Sequence, residues 1–436
     1  MQILIKLIVF FLLTTCLFSK SLDFFVLENG LRVILLEKHN APVVDVRVFY
    51  NVGSVFEKDG EKGLSHLFEH MMFRGSKNVG DEEHSQKIQR IGGTSNAYTS
   101  DDLTVYHQKL PSVELELALF LEADRMQHLI VNKEILDKER EVVKEEYRWR
   151  YENNPQGKMF LEARKIYYPN YNYKYGAIGK LDDISALSVE ECNAFYSNYY
   201  SPGNAILVIV GDFNTPKLVE QINTYFSLIP RRKLVKPPFS LYKRPKGKVE
   251  ATIATEFPTE MTTVSFHVPP AHNVKDLATL EMIGFALANS ESSRLYKNLV
   301  KDKQLALGVF DYVLINKGSS LMMIGASHKP ELSKKIQRSL WKEFKSIKKR
   351  GLTETEFKKI KNKLLTSKTF DRYSSSSLAD GIGRAYLYSG KPDAYLKELE
   401  IYESITQKDI KRVASTFLIK SNSTTIHFVP ELKEKK

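Results

Sequence analysis

"LSVEECNAFYSNYYSPGNAILVIVGD" runs from Leu187 to Asp212, and "ITQKDIKRVASTFLIKSNSTTIHFVPE" runs from Ile405 to Glu431. The two stretches align without gaps at an offset of about 218 residues. Each reads as a helix, a long aromatic-tipped turn and a strand. "VVDVRVFYNVGS" (Val43–Ser54) is echoed in the same way by "TTVSFHVPPAHN" (Thr262–Asn273). Identity is low, but the apolar pattern is shared. Duplication of a unit of roughly 200 residues explains it, and 436 residues are enough for two such units. The expected organisation is a first half at 22–229, a Pro/Lys-rich linker at 230–248 ("PRRKLVKPPFSLYKRPKGK") and a second half at 249–436.

Working outward, "FFVLENGLRVILLE" (Phe24–Glu37) predicts two strands joined at Asn29–Gly30. Helices are expected at 63–73, 82–91, 113–129 and 134–151. Composition is that of a globular protein, with 42% hydrophobic and 27% charged residues. The net charge of +12 is spread along the chain with no zinc-finger, helix-turn-helix or single-strand-binding signature beside it. It reads as a solvated basic face and linker, and neither nucleic acid nor a membrane surface is an expected partner.

The first 21 residues carry one early lysine, Lys6, then an apolar run from Leu7 to Phe18, then small residues. That is the layout of a secretory signal peptide, with cleavage after Ser19 or Ser21. A lipoprotein site at Cys16 is the weaker reading, because Thr15 precedes it. The apolar run is short for a spanning helix, so stable membrane insertion is not expected. The mature chain then keeps only Cys192, so no internal disulfide forms. In a bacterium the expected location is the periplasm.

Chemistry concentrates in "GLSHLFEHMMF" (Gly63–Phe73). His66 and His70 stand at i and i+4 and project from one helix face. Two imidazoles so placed reach one zinc ion, and Glu69 is placed to take a proton from water that zinc has acidified. H-x-x-E-H is the inverzincin order. A third ligand is needed. In "EILDKEREVVKEEYRWRY" (Glu134–Tyr151), Glu139, Val142, Val143 and Glu146 share one inward-facing stripe. Glu145 lies about 100° away on the charged side, so Glu146 is the expected ligand. Glu139, roughly 10 Å earlier along the axis, lies too far for the same ion and is expected behind the ligands. The second half has no counterpart: the repeat offset lands on "IGFALANSES" (Ile283–Ser292), without histidine.

H-x-x-E-H followed by "ERxVVxEE" resembles the pitrilysin family of zinc peptidases, in the branch of mitochondrial processing peptidase and its bacterial relatives. The resemblance extends to Gly53–Ser54, Glu57, "GGTSNAYTSDDLTVY" and "YSPGNAILVIVGD". It implies an α+β fold of two homologous halves, each a mostly antiparallel sheet packed with helices. It implies one zinc per chain on His66, His70 and Glu146, with Glu69 as general base and Glu139 assisting. It also implies that an extended or unfolded peptide adds to an edge strand at Gly92–His107, against Asn96 and Ala97. Asp101 and Asp102 would then favour basic peptides.

Single-chain relatives place an Arg and a Tyr from the second half beside the reacting carbonyl. The matching stretch here, "LVKDKQLAL" (Leu299–Leu307), has Val300 and Leu307 at those positions. Lys301 and Tyr312 lie nearby, but a strand puts Leu307 and Tyr312 on opposite faces. "ANSESS" also replaces a glycine-rich loop. The expectation is the catalytic chain of a heterodimer whose homologous partner subunit carries the Arg/Tyr pair. The alternative is a non-catalytic structural or binding subunit of a processing-peptidase-like complex. Scaffold members usually lose zinc ligands, and here the ligand residue types remain.

Overall fold

A computed structural model describes residues 22–232, 240–245 and 247–431. The expected signal segment lies outside these residues, as do 233–239 and 246 of the expected linker. Strands β1 (Asp23–Val26), β2 (Arg32–Glu37), β3 (Val43–Tyr50), β4 (Thr94–Thr99), β5 (Thr104–Pro111) and β6 (Ala205–Gly211) form one sheet in the order β1-β2-β6-β3-β5-β4. Strands β7 (Val249–Thr255), β8 (Glu260–Val268), β9 (Ala306–Leu314), β10 (Ser320–His328) and β11 (Ser423–Pro430) form the other, in the order β7-β11-β8-β10-β9. Without β1, the two orders correspond strand for strand. In each sheet one pair is parallel, β2 with β6 and β7 with β11, and the remaining pairs are antiparallel. The fold is the expected α+β one. The Asn29–Gly30 turn joins β1 to β2, with Phe25 opposite Val33.

Helices of the first half are α1 (Leu64–Met71), α2 (Glu83–Arg90), α3 (Leu115–His128), α4 (Lys133–Tyr147), α5 (Pro155–Tyr167), α6 (Leu181–Ala186), α7 (Val189–Tyr199) and α8 (Thr215–Phe226). Those of the second are α9 (Val274–Leu287), α10 (Ser333–Arg350), α11 (Glu354–Asp371), α12 (Ser375–Ser389), α13 (Glu398–Ser404) and α14 (Gln407–Phe417). The two quoted repeats become α7–β6 and α14–β11, and they share hydrogen bonds as well as shape. Ser188 and Glu191 form a capping box at the start of α7, and Thr406 and Asp409 form the equivalent box on α14. Asn204 Nδ2 donates to Tyr199 O at 2.9 Å, and Asn422 Nδ2 donates to Phe417 O at 2.9 Å. The same polar residues end the same helix in both copies.

All seven residues of β6 are buried, so both faces of the first sheet need cover. Helices of the first half cover one face. The other is covered by α12 of the second half, through Leu378, Ala379 and Ile382 against Ile34, Phe49, Ile206 and Val208. The exchange is reciprocal. Helix α5 of the first half brings Ala163 and Tyr167 into a cluster with Ile426 and Phe428 of β11. Ser265 Oγ of β8 donates to the Tyr167 hydroxyl at 3.1 Å. Each half thus completes the other's core. Cys192 is free and buried, and burial pushes its thiol up to about 12. Among the described residues no helix is long and apolar enough to cross a membrane.

The expected long helix at 134–151 is interrupted. Helix α4 ends at Tyr147 and continues as a π-helical turn, Arg148–Glu152. The Asn153 N–H reaches back five residues to Arg148 O at 2.7 Å. Pro155 disfavours helical geometry at Asn154, and the Asn154 side chain instead caps α5.

Candidate metal centre

Helix α1 divides by face. Leu64, Leu67, Phe68 and Met71, at helical spacing, are buried. Phe68 packs against the rings of Phe195 and Tyr200, with centroids at 5.5 and 5.2 Å. His66, Glu69 and His70 therefore face away, toward β4 and α4. The start of α1 is built by backbone and a buried acid. Gly63 has φ +105°, and a Cβ there would fall 2.8 Å from Ile184 Cγ1, so only glycine fits. Glu57 Oε2 accepts from the Gly63 N–H at 2.9 Å, and Oε1 accepts from the Ser65 N–H at 2.8 Å. Burial pushes the Glu57 carboxyl up to about 7, against those hydrogen bonds.

Helix α4 buries Leu136, Glu139 and Val143 on one stripe. Val142, expected on that stripe, is 42% exposed instead. The buried stripe is centred on Leu136, Glu139 and Val143, and Val142, about 100° from Val143, falls at its edge. Glu145 pairs with Arg148 and Glu141 with Lys144 on the exposed side. Glu146 Oε2 lies 3.3 Å from His70 Nε2 and 3.6 Å from His66 Nε2. Glu139 is 1% exposed, with Oε2 3.4 Å from His70 Nδ1. Arg74 Nε lies 2.5 Å from the other Glu139 oxygen.

These donor atoms fit a metal. One atom each from His66, His70 and Glu146 lie within 4.8 Å of one another. A tetrahedral ion with ligands at 2.0–2.1 Å spaces them about 3.3 Å apart. Nitrogen and carboxylate donors suit zinc. Burial, then the His70 charge, pushes the His66 imidazole down to about 4. Burial also lowers His70, but the Glu139 and Glu146 carboxylates outweigh it and lift the ring to about 9. Burial raises Glu146, and His70, His66 and Arg150 outweigh that and hold it below the usual range. Burial lifts the Glu69 carboxyl above its ordinary value, partly offset by a hydrogen bond with Thr99.

Thr99 closes β4, which pairs with β5 alone and is the edge of the first sheet. Asn96 is exposed on it, and Ala97 is 9% exposed in the core. Asn96 Oδ1 accepts from the Ala97 N–H at 2.8 Å. The expected role of Asp101 and Asp102 in attracting basic peptides is not what the structure shows, because both are buried. Arg164 Nη2 donates to both Asp101 oxygens, at 2.7 and 2.8 Å. Asp102 accepts from the Tyr173 hydroxyl and from the Lys317 N–H, each at 2.7 Å. Their charges are spent inside the protein, where the turn meets the second half. On β9, a register shift between Ala306 and Gly308 leaves Leu307 without a paired partner, so simple alternation does not hold there. Leu307 and Tyr312 are both exposed. Lys301 pairs with Glu291 of its own half at 3.6 Å.

Sequence reasoning missed Glu57 as an anchor for α1, and it missed Arg74 and Arg150. The signal for the two arginines was present: each stands four residues after a site residue, His70 and Glu146. No local pattern pointed to Glu57 as an acceptor for Gly63 and Ser65.

A family model described as insulinase (peptidase family M16) matches residues 32–175, and one described as peptidase M16 inactive domain matches residues 186–364. The zinc protease PqqE of Helicobacter pylori is 30% identical over 409 residues, covering 93% of this chain and 92% of that protein. The solved structure of a protease from Helicobacter pylori matches with a TM-score of 0.87 at 30% identity, covering 94% of this chain and 100% of that one. The periplasmic protease PqqL of Escherichia coli shares the fold at 20% identity and a TM-score of 0.80, and the match covers 95% of this chain but 48% of that one. Matched by both family models and by a relative this similar along nearly its whole length, the chain belongs to peptidase family M16.

Proposed function

We propose that the chain is a zinc-dependent endopeptidase that cuts extended or unfolded peptides, exported to the periplasm by residues 1–21 and divided into domains at 22–229 and 249–436. His66, His70 and Glu146 hold the zinc, Glu69 is the general base, and Glu139 acts through the His70 ring. The observation that carries this reading is the spacing of His70 and His66 Nε2 from one Glu146 oxygen, 3.3 and 3.6 Å. When bound there, zinc acidifies water toward a pKa of about 7 and polarises the scissile carbonyl. Glu69 precedes His70 directly, and its raised pKa suits a base that must accept a proton near neutrality. The Glu139 carboxylate at His70 Nδ1 fixes the ring so that Nε2 is the free donor. The peptide adds to β4 by main-chain hydrogen bonds beside Asn96 and Ala97.

The reading extends to a partner. This chain spans about half the length of the PqqL protease, which supports a paired assembly. By the family resemblance, Val300 and Leu307 stand at the positions of an Arg and a Tyr in single-chain relatives. A homologous subunit would bring that pair.

The test is peptide hydrolysis by the mature chain, wild type against Glu69→Gln, with bound zinc quantified in both. Loss of activity with zinc retained is the expected result. Zinc without activity in the wild type calls for the companion subunit to be added. No bound zinc would sink the peptidase reading and leave a scaffold role.

A further inference from the structure

Arg150 stands in the π-helical turn that carries α4 beyond Glu146. Its Nη1 lies 2.9 Å from Glu146 Oε1, while Oε2 of the same carboxylate faces His66 and His70. The two oxygens are thus divided between guanidinium and imidazoles. The other acidic pairs along this stretch differ. Glu141 and Glu145 are 62% and 69% exposed, whereas Glu146 is 16% exposed. Arg150 is also held by its backbone. The Asn153 N–H closes the turn on Arg148 O, and Gly157 lacks the Cβ that would fall 1.8 Å from Arg150 O. A larger residue at 157 would displace the turn. The Arg150 side chain is itself 54% exposed, so it is the fixed turn at its base, not burial, that sets the direction from which it reaches the half-buried Glu146 carboxylate.

We propose that Arg150 is a positioning residue for metal ligation, holding Glu146 Oε1 so that Oε2 is presented as a single ligand beside the two imidazoles. This rests on the reading that His66, His70 and Glu146 hold zinc. Orientation and charge act in opposite directions here. A guanidinium near the ion repels it, so an arginine that contributed only charge would weaken zinc binding. An arginine that orients the ligand strengthens it. The sign of the effect of removing Arg150 therefore decides between them.

The experiment is zinc affinity of the mature chain by competition with a chromogenic chelator, for wild type, Arg150→Met, Arg150→Lys and Arg148→Met, alongside melting of each metal-free form. Arg148 pairs with exposed Glu145 and controls for loss of one charge on the same turn. Zinc binding by Arg150→Met should weaken roughly 10–100-fold, the usual effect of losing a group that orients a metal ligand. Arg150→Lys, which keeps the charge without the fork, should fall between it and wild type. Arg148→Met should match wild type, and the metal-free forms should melt alike. If Arg150→Met fails to fold, Arg150→Lys decides by the same sign. Zinc binding unchanged or tighter without Arg150 overturns the proposal while leaving the zinc site standing. No zinc on the wild type overturns both.

Discussion

The Tyr98 hydroxyl of β4 donates to Asp380 Oδ1 of α12 at 2.6 Å. The same carboxylate receives Arg47 Nη1 and Arg384 Nε, each at 2.8 Å. A helix from the second half therefore grips the edge strand beside the metal centre. Asp380→Ala should destabilise the protein by about 1–3 kcal/mol, because Arg47 and the Tyr98 hydroxyl lose an acceptor. Tyr98→Phe should cost less. In denaturant unfolding the double variant should show a coupling of about 1 kcal/mol. Simple additivity would mean the two residues do not act together.

Glu57 anchors the start of α1 through the Gly63 and Ser65 N–H groups. Glu57→Ala leaves both donors buried without an acceptor, at about 1–3 kcal/mol each. Because the disturbed turn leads directly into His66, zinc affinity should fall together with the melting temperature. Stability lost with zinc affinity intact would show that the helix finds its position without this acid.

Asp101→Asn removes a buried negative charge and leaves the Arg164 guanidinium uncompensated, an expected loss of about 3 kcal/mol or more. Cleavage of a peptide library should keep the wild-type preference, since Asp101 is buried against Arg164 and Asn316. A selective loss of basic peptides in a normally stable variant would return Asp101 to the substrate.

His267 of β8 lies under Tyr168 and Tyr242, with ring centroids at 5.2 and 5.1 Å, and its Nδ1 is 3.1 Å from Ser319 Oγ. Burial, then the Arg244 charge, pushes the imidazole down to about 3. The unfolded chain takes up this proton near pH 6.5 and the folded chain does not, so stability falls as pH drops from about 6.5 toward 3. Relative to His267→Asn, the wild type should lose on the order of 2 kcal/mol more between pH 7 and pH 5. Unfolding titrations at the two pH values measure this difference. Parallel losses in both proteins would show that the ring is charged when folded.

The sequence by itself determined the repeat, most strands of the first half and the face of α1 that carries His66, Glu69 and His70. These are periodic or locally hydrogen-bonded features. A 3.6-residue or two-residue alternation records which side of an element is buried. The i, i+4 spacing alone was enough to put two imidazoles side by side. Local periodicity does not record which element does the burying. That β6 is covered on one side by a helix from the other half followed only from assembling the chain. Asp101 and Asp102 read as exposed acids because acids usually are. Arg164 and Asn316, 63 and 215 residues away, made the burial of Asp101 possible, and Tyr173 and Lys317 that of Asp102. Val142 and Val143 are equivalent by composition, and only the packing of α1 against α4 chose between them. Tertiary structure decided these points because a buried charge or a two-faced strand is stable only with partners, and those partners are distant in the chain.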